Sequence, residues 1–454
     1  MKSAGVISAG FLTMQTAVGA LESAEALPIS TAYGPLIEDP ARILDLPRGF
    51  NYQVLSRVGR EMSDHLVTPG NHDGMAAFAG PRGRIVLICN HESNSDQHLA
   101  SPFGIHNRLL GKVKKDRLYD YGFGETPALG GTTTLIYNPK SRKVEREYLS
   151  LAGTCRNCAG GATPWNSWVT CEETVIRADE GVEKDHGYNF EVPVSSRIRL
   201  ADPIPLTEMG RFNHEAIAVD PVSGVVYETE DRGDGLIYRY IPNVPGKLAK
   251  GGKLQALAIK GWSSCDTRNW KDLTTDEFPL GKSFDVEWID LDNVDSPDDD
   301  LRYRGFKAGA ARFARGEGIY FGNERIYWVC TNGGKILKGQ IFTYVPSPYE
   351  GTEQEKDAPG TIELYLEPNN SEIVEMCDNL DVTPDGGLLL CEDGKEDNFL
   401  VGVTPDSKWF KLARNATGPS EFAGVCHSPD GKIVFANLQK PGLTVAITGP
   451  FQWV

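Results

Sequence analysis

Read for its alternation of apolar and polar positions, the chain shows short runs with a two-residue period and no long stretch with the 3.6-residue period of an amphipathic helix. One unit recurs along it. A short polar opening leads into an apolar strand, a Pro/Asp/Gly turn, and a second apolar strand ending in Glu, Asp or Asn. The clearest copy is CDNLDVTPDGGLLLCED at 377–393, and five others lie at 71–92, 157–173, 213–231, 313–332 and 421–437. Further strand pairs fall between the copies, among them TTTLIYNP with REYLSLAG, GYNFEVPV with ADPIPLTEM, and GQIFTYVP with TIELYLEP. Each unit therefore predicts about four strands, the pattern of a radially repeated sheet. Only TVAIT follows the sixth hairpin, and FNYQVLSR from Phe50 is expected to pair with it, joining the two ends of the chain and removing exposed edges. The expected fold is all-β: a six-bladed β-propeller over residues 27–454, closed by an N-terminal strand, with long loops on its faces at 93–125 and 261–311.

Composition agrees with a turn-rich β protein, since 454 residues include 49 Gly and 28 Pro but 6 Met. The formal net charge of -16 argues against a general nucleic-acid binder, because phosphate backbones are held by basic surface. It suits clustered carboxylates that hold cations, and cations let an acidic protein bind a phosphate ester. Nine cysteines, an odd number scattered over a long chain, do not form the pattern of a disulfide framework. The first 26 residues, with one Lys, an apolar run from about Ala4 to Ala20 and Ala24-Glu25-Ala26, read as a secretory signal, so a periplasmic or secreted location is expected. The acidic DLDNVDSPDDD from Asp290 reads as a solvated loop, because it lacks the Gly and Glu of an EF-hand.

The repeats also direct the chemistry. In an antiparallel hairpin the residue before the first strand and the residue after the second lie at the same open end, so a ring of hairpins gathers these residues at one mouth. The openings supply Asp73, Cys158, Glu215, Glu317, Asn379 and Glu421. The exits supply Asn90, Glu92, Glu172, Glu173, Glu230, Asp231, Asn332, Glu392, Asp393 and Asn437. So many carboxylates converging on one funnel repel one another unless cations neutralise them. Oxygen donors select Ca²⁺ or Mg²⁺, and a thiolate among them asks for a transition metal such as iron or zinc. Taken alone, Cys155-x-x-Cys158 is equally a disulfide, half a zinc site or a redox pair, and Glu172-Glu173 a solvated strand end. Arg315, two residues before Glu317, is placed to grip a phosphoryl or carboxylate oxygen, as is Asn90 beside Glu92. His91 and His214 read as supports of the neighbouring carboxylates rather than ligands. No nucleophile elbow, Walker loop or dinucleotide fingerprint is present in the sequence.

CNHE at 89–92, GGTTT at 130–134, NCAGGATPWNSWVTCEE at 157–173, RFNHEA at 211–216, ARGEG at 314–318, DNLDVTPDG at 378–386 and GVCHSPDGKIVFANLQKPG at 424–442 together resemble the PhoX family of bacterial alkaline phosphatases. The resemblance implies a secreted propeller phosphatase acting on small phosphate esters, with an iron and calcium cluster bridged by an oxo group. It implies Cys158 as a thiolate ligand of iron, Glu92, Glu173, Glu215 and Glu317 as cluster carboxylates, and Asn90 and Arg315 as the residues holding phosphoryl oxygens. No membrane or nucleic-acid partner is expected, since the net charge argues against the second and, after the N-terminal segment, no stretch of the sequence is long and apolar enough to span a bilayer. Two other readings are carried: a calcium-dependent propeller hydrolase of the lactonase or phosphotriesterase type, and a propeller that binds a ligand without catalysis.

Overall fold

The computed structural model describes residues 32–97, 100–179 and 181–453, so the expected signal segment lies outside the described residues. The recurring unit is a hairpin each time. Its strands are His72–Ala79 with Ile85–His91, Asn157–Ala162 with Ser167–Glu172, His214–Val219 with Val226–Glu230, Gly316–Gly322 with Arg325–Cys330, Cys377–Val382 with Leu388–Glu392, and Phe422–His427 with Val434–Leu438. The first strand of each hairpin packs against the first strand of the next, and that of the last against that of the first, which makes a closed ring about a central axis. The sheets extend outward from it, an all-β, propeller-like arrangement with one α-helix, Leu301–Ala308, among the described residues.

The ring is closed where sequence placed the closure. Asn51–Arg57 pairs antiparallel with Leu443–Thr448, so an early strand and the last strand of the described chain share one four-stranded sheet. The sheets are not six equal four-stranded units, however. They have six, three, nine, four and four strands. The second hairpin gains only Asn189–Pro193, because the segment expected beside it touches by a single bridge, Phe190 to Pro205, and its prolines cannot donate to a ladder. The nine-stranded sheet arises because the connector 261–311, expected as loop, carries the strand Ser283–Asp290. It pairs with Gly252–Ile259 on one side and with Thr361–Leu366 on the other, joining the third and fourth hairpins' sheets edge to edge.

Two local features of the inner strands position everything at the mouth. The strands meet closely enough that glycine is required: a Cβ on Gly74 would lie 2.5 Å from the Ala159 Cα, and one on Gly161 2.0 Å from the Ile217 carbonyl oxygen. Each hairpin also carries a bulge at the same place. Pairing passes from His72↔His91 to Met75↔Cys89, from Asn157↔Glu172 to Gly160↔Thr170, and correspondingly in the other four, so that three steps on the first strand oppose two on the second. A bulge leaves its extra residue outside the ladder and re-aims its side chain.

Replacing Gly74 by Ala is expected to destabilise the protein by about 1–3 kcal/mol, the usual cost of overpacking. Gly111→Ala, where an added Cβ meets nothing within 4 Å, should leave stability unchanged. Denaturant unfolding of both variants at matched metal content checks this.

Candidate metal centre

The bulges put Asp73, Cys158, Glu215, Glu317 and Asp378 at equivalent places around the mouth, with Gly424 at the sixth. Donor atoms of Cys158, Glu173 and Glu215 lie within 4.8 Å of one another, and so do those of Glu215, Glu317 and Asp378. Glu215 is common to both groups. The Cys158 Sγ is 3.8 Å from the Asp73 Oδ1. Glu215 is fully buried, yet neither of its carboxylate oxygens has a hydrogen-bond partner among the described residues. Sequence pointed to Asn379 for the fifth opening. The bulge shifts the position by one residue to Asp378, and Asn379 instead donates to the Asp378 Oδ1 (2.9 Å) and accepts from the Gly424 amide (2.5 Å).

At the exits, alternation along the strand separates adjacent acids into two jobs. Glu172 accepts the amides of Cys155 (2.9 Å), Gly187 (2.8 Å) and Tyr188 (3.2 Å), with His186 Nδ1 at 2.6 Å. Glu230 accepts the Leu236 amide and Tyr238 hydroxyl, and Glu392 the amides of Glu375 and Phe399. These three hold loops. The next residue along, Glu173, Asp231 or Asp393, donates its amide back to the opening turn, as Glu92 does in the first hairpin.

Two guanidinium groups cross this outer tier. Arg315 donates from Nε and Nη2 to Asp231 (2.8 and 3.0 Å) and from Nη2 to the Glu317 Oε1 (2.5 Å). Arg156 donates from Nε to the Glu173 carbonyl (3.0 Å) and from Nη2 to Glu173 Oε2, and pairs with Glu92 at 2.7 Å. In both, Nη1 has no hydrogen-bond partner among the described residues, and the side chains are 27% and 35% exposed. Both residues have left-handed backbone, φ 53° at Arg315 and 46° at Arg156, a conformation that non-glycine residues adopt at a cost. Arg156 was not found by sequence reasoning. The signal was there: an Arg stands two residues before Cys158 as another does before Glu317.

The expected ligands Cys158, Glu173, Glu215 and Glu317 are brought together, whereas Glu92 stands apart from both donor groups, bound to Arg156 and to the Gln439 side chain (2.8 Å). Asn90 is a correction. It is buried; its amide nitrogen donates to the carbonyls of Cys158 (3.1 Å) and Ala159 (2.6 Å), and its oxygen accepts from the Trp168 indole (2.8 Å). Every hydrogen-bonding position on its side-chain amide nitrogen is engaged, so Asn90 fixes the backbone under Cys158 and has no donor left for a phosphoryl oxygen. His91 is held between the Gly70 carbonyl and the Thr133 hydroxyl, and His214 against the Gly210 carbonyl and Glu228, both as supports. All nine cysteines are free thiols, so Cys155 and Cys158 are not bridged.

Electrostatics sets what this nest can hold. Burial, then Glu317, Glu173 and Asp73, pushes the Glu215 carboxyl well above its usual range; burial and neighbouring acids do the same to Asp73, Asp378 and, despite Arg315, to Glu317. Burial, then Asp73 and Glu215, raises the Cys158 thiol, and burial with Asp231 pushes Glu173 up to about 8. Without cations, burial and mutual repulsion favour the protonated forms of these groups. Buried, unpartnered carboxylate oxygens around one sulfur fit multivalent metal ions, which would supply the missing partners and reverse these shifts.

Fold and site together define a metal-dependent enzyme built on a propeller-like ring. The chain matches the family Alkaline phosphatase PhoX over residues 31–442 and belongs to that family of hydrolases. No curated protein matches it. Among solved structures it is similar to Pseudomonas fluorescens PhoX in complex with vanadate, a transition state analogue, with 16% identity, TM-score 0.63, and coverage of 94% of this chain and 98% of that one. It is more distantly similar to XC5397 from Xanthomonas campestris, a gluconolactonase, with 11% identity, TM-score 0.40, and coverage of 93% and 98%.

The raised carboxyls give the metal-stripped protein a definite pH dependence. Their folded values exceed the unfolded ones, so the stability they contribute is complete below about pH 4 and is lost as pH rises through the folded values, about 8 for Glu173. The melting temperature of chelator-treated protein is expected to fall from pH 5 to pH 9, and metal reloading should restore it at the alkaline end. A flat profile for the stripped protein would remove the repulsion on which the site is argued.

Proposed function

We propose that the protein hydrolyses phosphate monoesters at a multinuclear iron and calcium centre in the mouth of a six-bladed β-propeller, the nine-stranded sheet counting as two blades fused at one edge. The observation that carries the reading is Glu215, a buried carboxylate with both oxygens unpartnered, lying between a thiol group and two further acids. Cys158 would be the sulfur ligand that favours iron, and Glu173, Glu215, Glu317 and Asp378 the oxygen ligands, with the remaining oxygen-rich positions suited to calcium. When bound, the cations neutralise the phosphate and lower the pKa of water, so the chain need not provide a nucleophile.

The residues of the chain bind and orient. The free Nη1 edges of Arg315 and Arg156 meet the phosphoryl oxygens, and each guanidinium plane is fixed by acids on its other edge. A donor held in place before the reaction stabilises negative charge without reorganising, which is where most of its catalytic effect lies. Both arginines are reached from solvent while the ligands beneath are buried, so the ester's alcohol part remains outside and the chemistry selects for the phosphate.

Arg315→Ala is expected to lower kcat/KM for p-nitrophenyl phosphate by roughly two to four orders of magnitude with metal content retained. Arg156→Ala should act in the same direction through KM and kcat together, and wild-type rates in either variant would take that arginine out of the site. Cys158→Ala should lose iron by elemental analysis along with any thiolate-to-metal absorption. Metal-replete protein that turns over no phosphate monoester at alkaline pH would leave the ligand-binding reading in its place.

A further inference from the structure

On the far side of the ligand ring, the inner strands enclose a chamber of 290 Å³ along the axis. Its roof is made by the residues that follow the ligands, Gly74, Ala159, Ala216, Gly318 and Asn379, and its walls are mostly apolar. It runs to the hairpin turns, where Ala79, Ala162 and Pro429 are exposed and form the entrance, on the face opposite the mouth. The volume is about twice that of a 150 Å³ apolar cavity known to take up benzene. No lysine or arginine lines it among the described residues. One group stands out in the wall: His427, 21% exposed, whose ring Nδ1 is 2.6 Å from the Asp381 Oδ2, while its own backbone amide donates to the same oxygen at 2.8 Å. Asp381 is buried, accepts from the Nδ1–H and favours the imidazolium form of the ring, whose Nε2–H is then a second donor, without a partner among the described residues. Tyr320 is the neighbouring polar group in the lining.

A concave, mostly apolar space with a few polar groups, one of them held in a fixed orientation, is the form of a small-molecule site. We propose that this chamber is a second binding site, separate from the metal centre, for a monocarboxylate with an apolar body, its carboxylate hydrogen-bonded to the Nε2 of His427. A single imidazolium N–H matches a monoanion. A phosphate dianion needs more donors and finds them at the opposite mouth. The inference does not rest on the phosphatase reading, and its test reads binding rather than turnover.

Isothermal titration of the metal-loaded protein with octanoate is expected to give one site, unaffected by saturating inorganic phosphate. 1-Octanol should bind at least tenfold more weakly. His427→Ala should weaken octanoate at least tenfold, with His427→Phe, which keeps a ring but has no donor, as the second variant if the first fails to fold, and Ala162→Trp at the entrance should block uptake. Hydrolysis of p-nitrophenyl phosphate without octanoate should be unchanged in all three. Absence of octanoate binding to the wild type, equal affinity in a folded His427 variant, or displacement by phosphate would overturn the proposal.

Discussion

The structure depends on how it manages mutual repulsion among buried carboxylates. Asp73, Glu215, Glu317 and Asp378 project toward one axis beside Cys158, and water is excluded from most of them. Coulomb repulsion between such groups grows as the local dielectric falls, so the arrangement is unfavourable for a bare ionised protein. Protons relieve it at low pH and cations relieve it at high pH. The two arginines relieve part of it, Arg156 pairing with Glu92 and Glu173 and Arg315 with Asp231 and Glu317. Glu215, at the centre, is left to whatever binds between the strands.

That concentration of charge is tolerated because the ring beneath it is rigid. Close approach at Gly74, Gly161 and Gly318 lets the inner strands pack backbone to backbone, and the six bulges turn one residue of each hairpin to the axis at a common height. Around the ring, paired acids divide the work. Glu172, Glu230 and Glu392 are spent on loop amides, and Asn90 on the carbonyls of Cys158 and Ala159, so the adjoining Glu173, Asp231 and Asp393 and the thiol itself are held in place. Positioning of this kind is what a metal centre needs from its surroundings.

Much of this was legible in the chain. The polar-apolar-turn-apolar-acid unit fixed the number of hairpins and the end at which their acids meet, and FNYQVLSR announced the closing strand. What a linear reading missed was local geometry: the sixth opening, read as Glu421, falls at Gly424. A bulge has no composition of its own, so the fifth opening was read as Asn379 in place of Asp378. Asn90 was placed at the mouth by its neighbour Glu92, although its side chain is held beneath Cys158 by the carbonyls of Cys158 and Ala159 and the Trp168 indole. Arg156 escaped notice because Cys158 drew attention within CRNC, while aligning it with Arg315 across repeats would have found it. The edge pairing of Ser283–Asp290 depends on a partner about eighty residues away, Thr361–Leu366, which no local pattern encodes.

The central claim is that cations, and not protons, complete the nest around Glu215 in the working protein. Anomalous diffraction from crystals of the metal-replete protein, collected across the iron edge, tests it most directly. The account predicts an iron peak within bonding distance of the Cys158 Sγ and a Glu215 oxygen, with further cation density toward Glu317 and Asp378. Carboxyl groups hydrogen-bonded to one another, with no anomalous density between Cys158 and Glu215 at full metal loading, would contradict it.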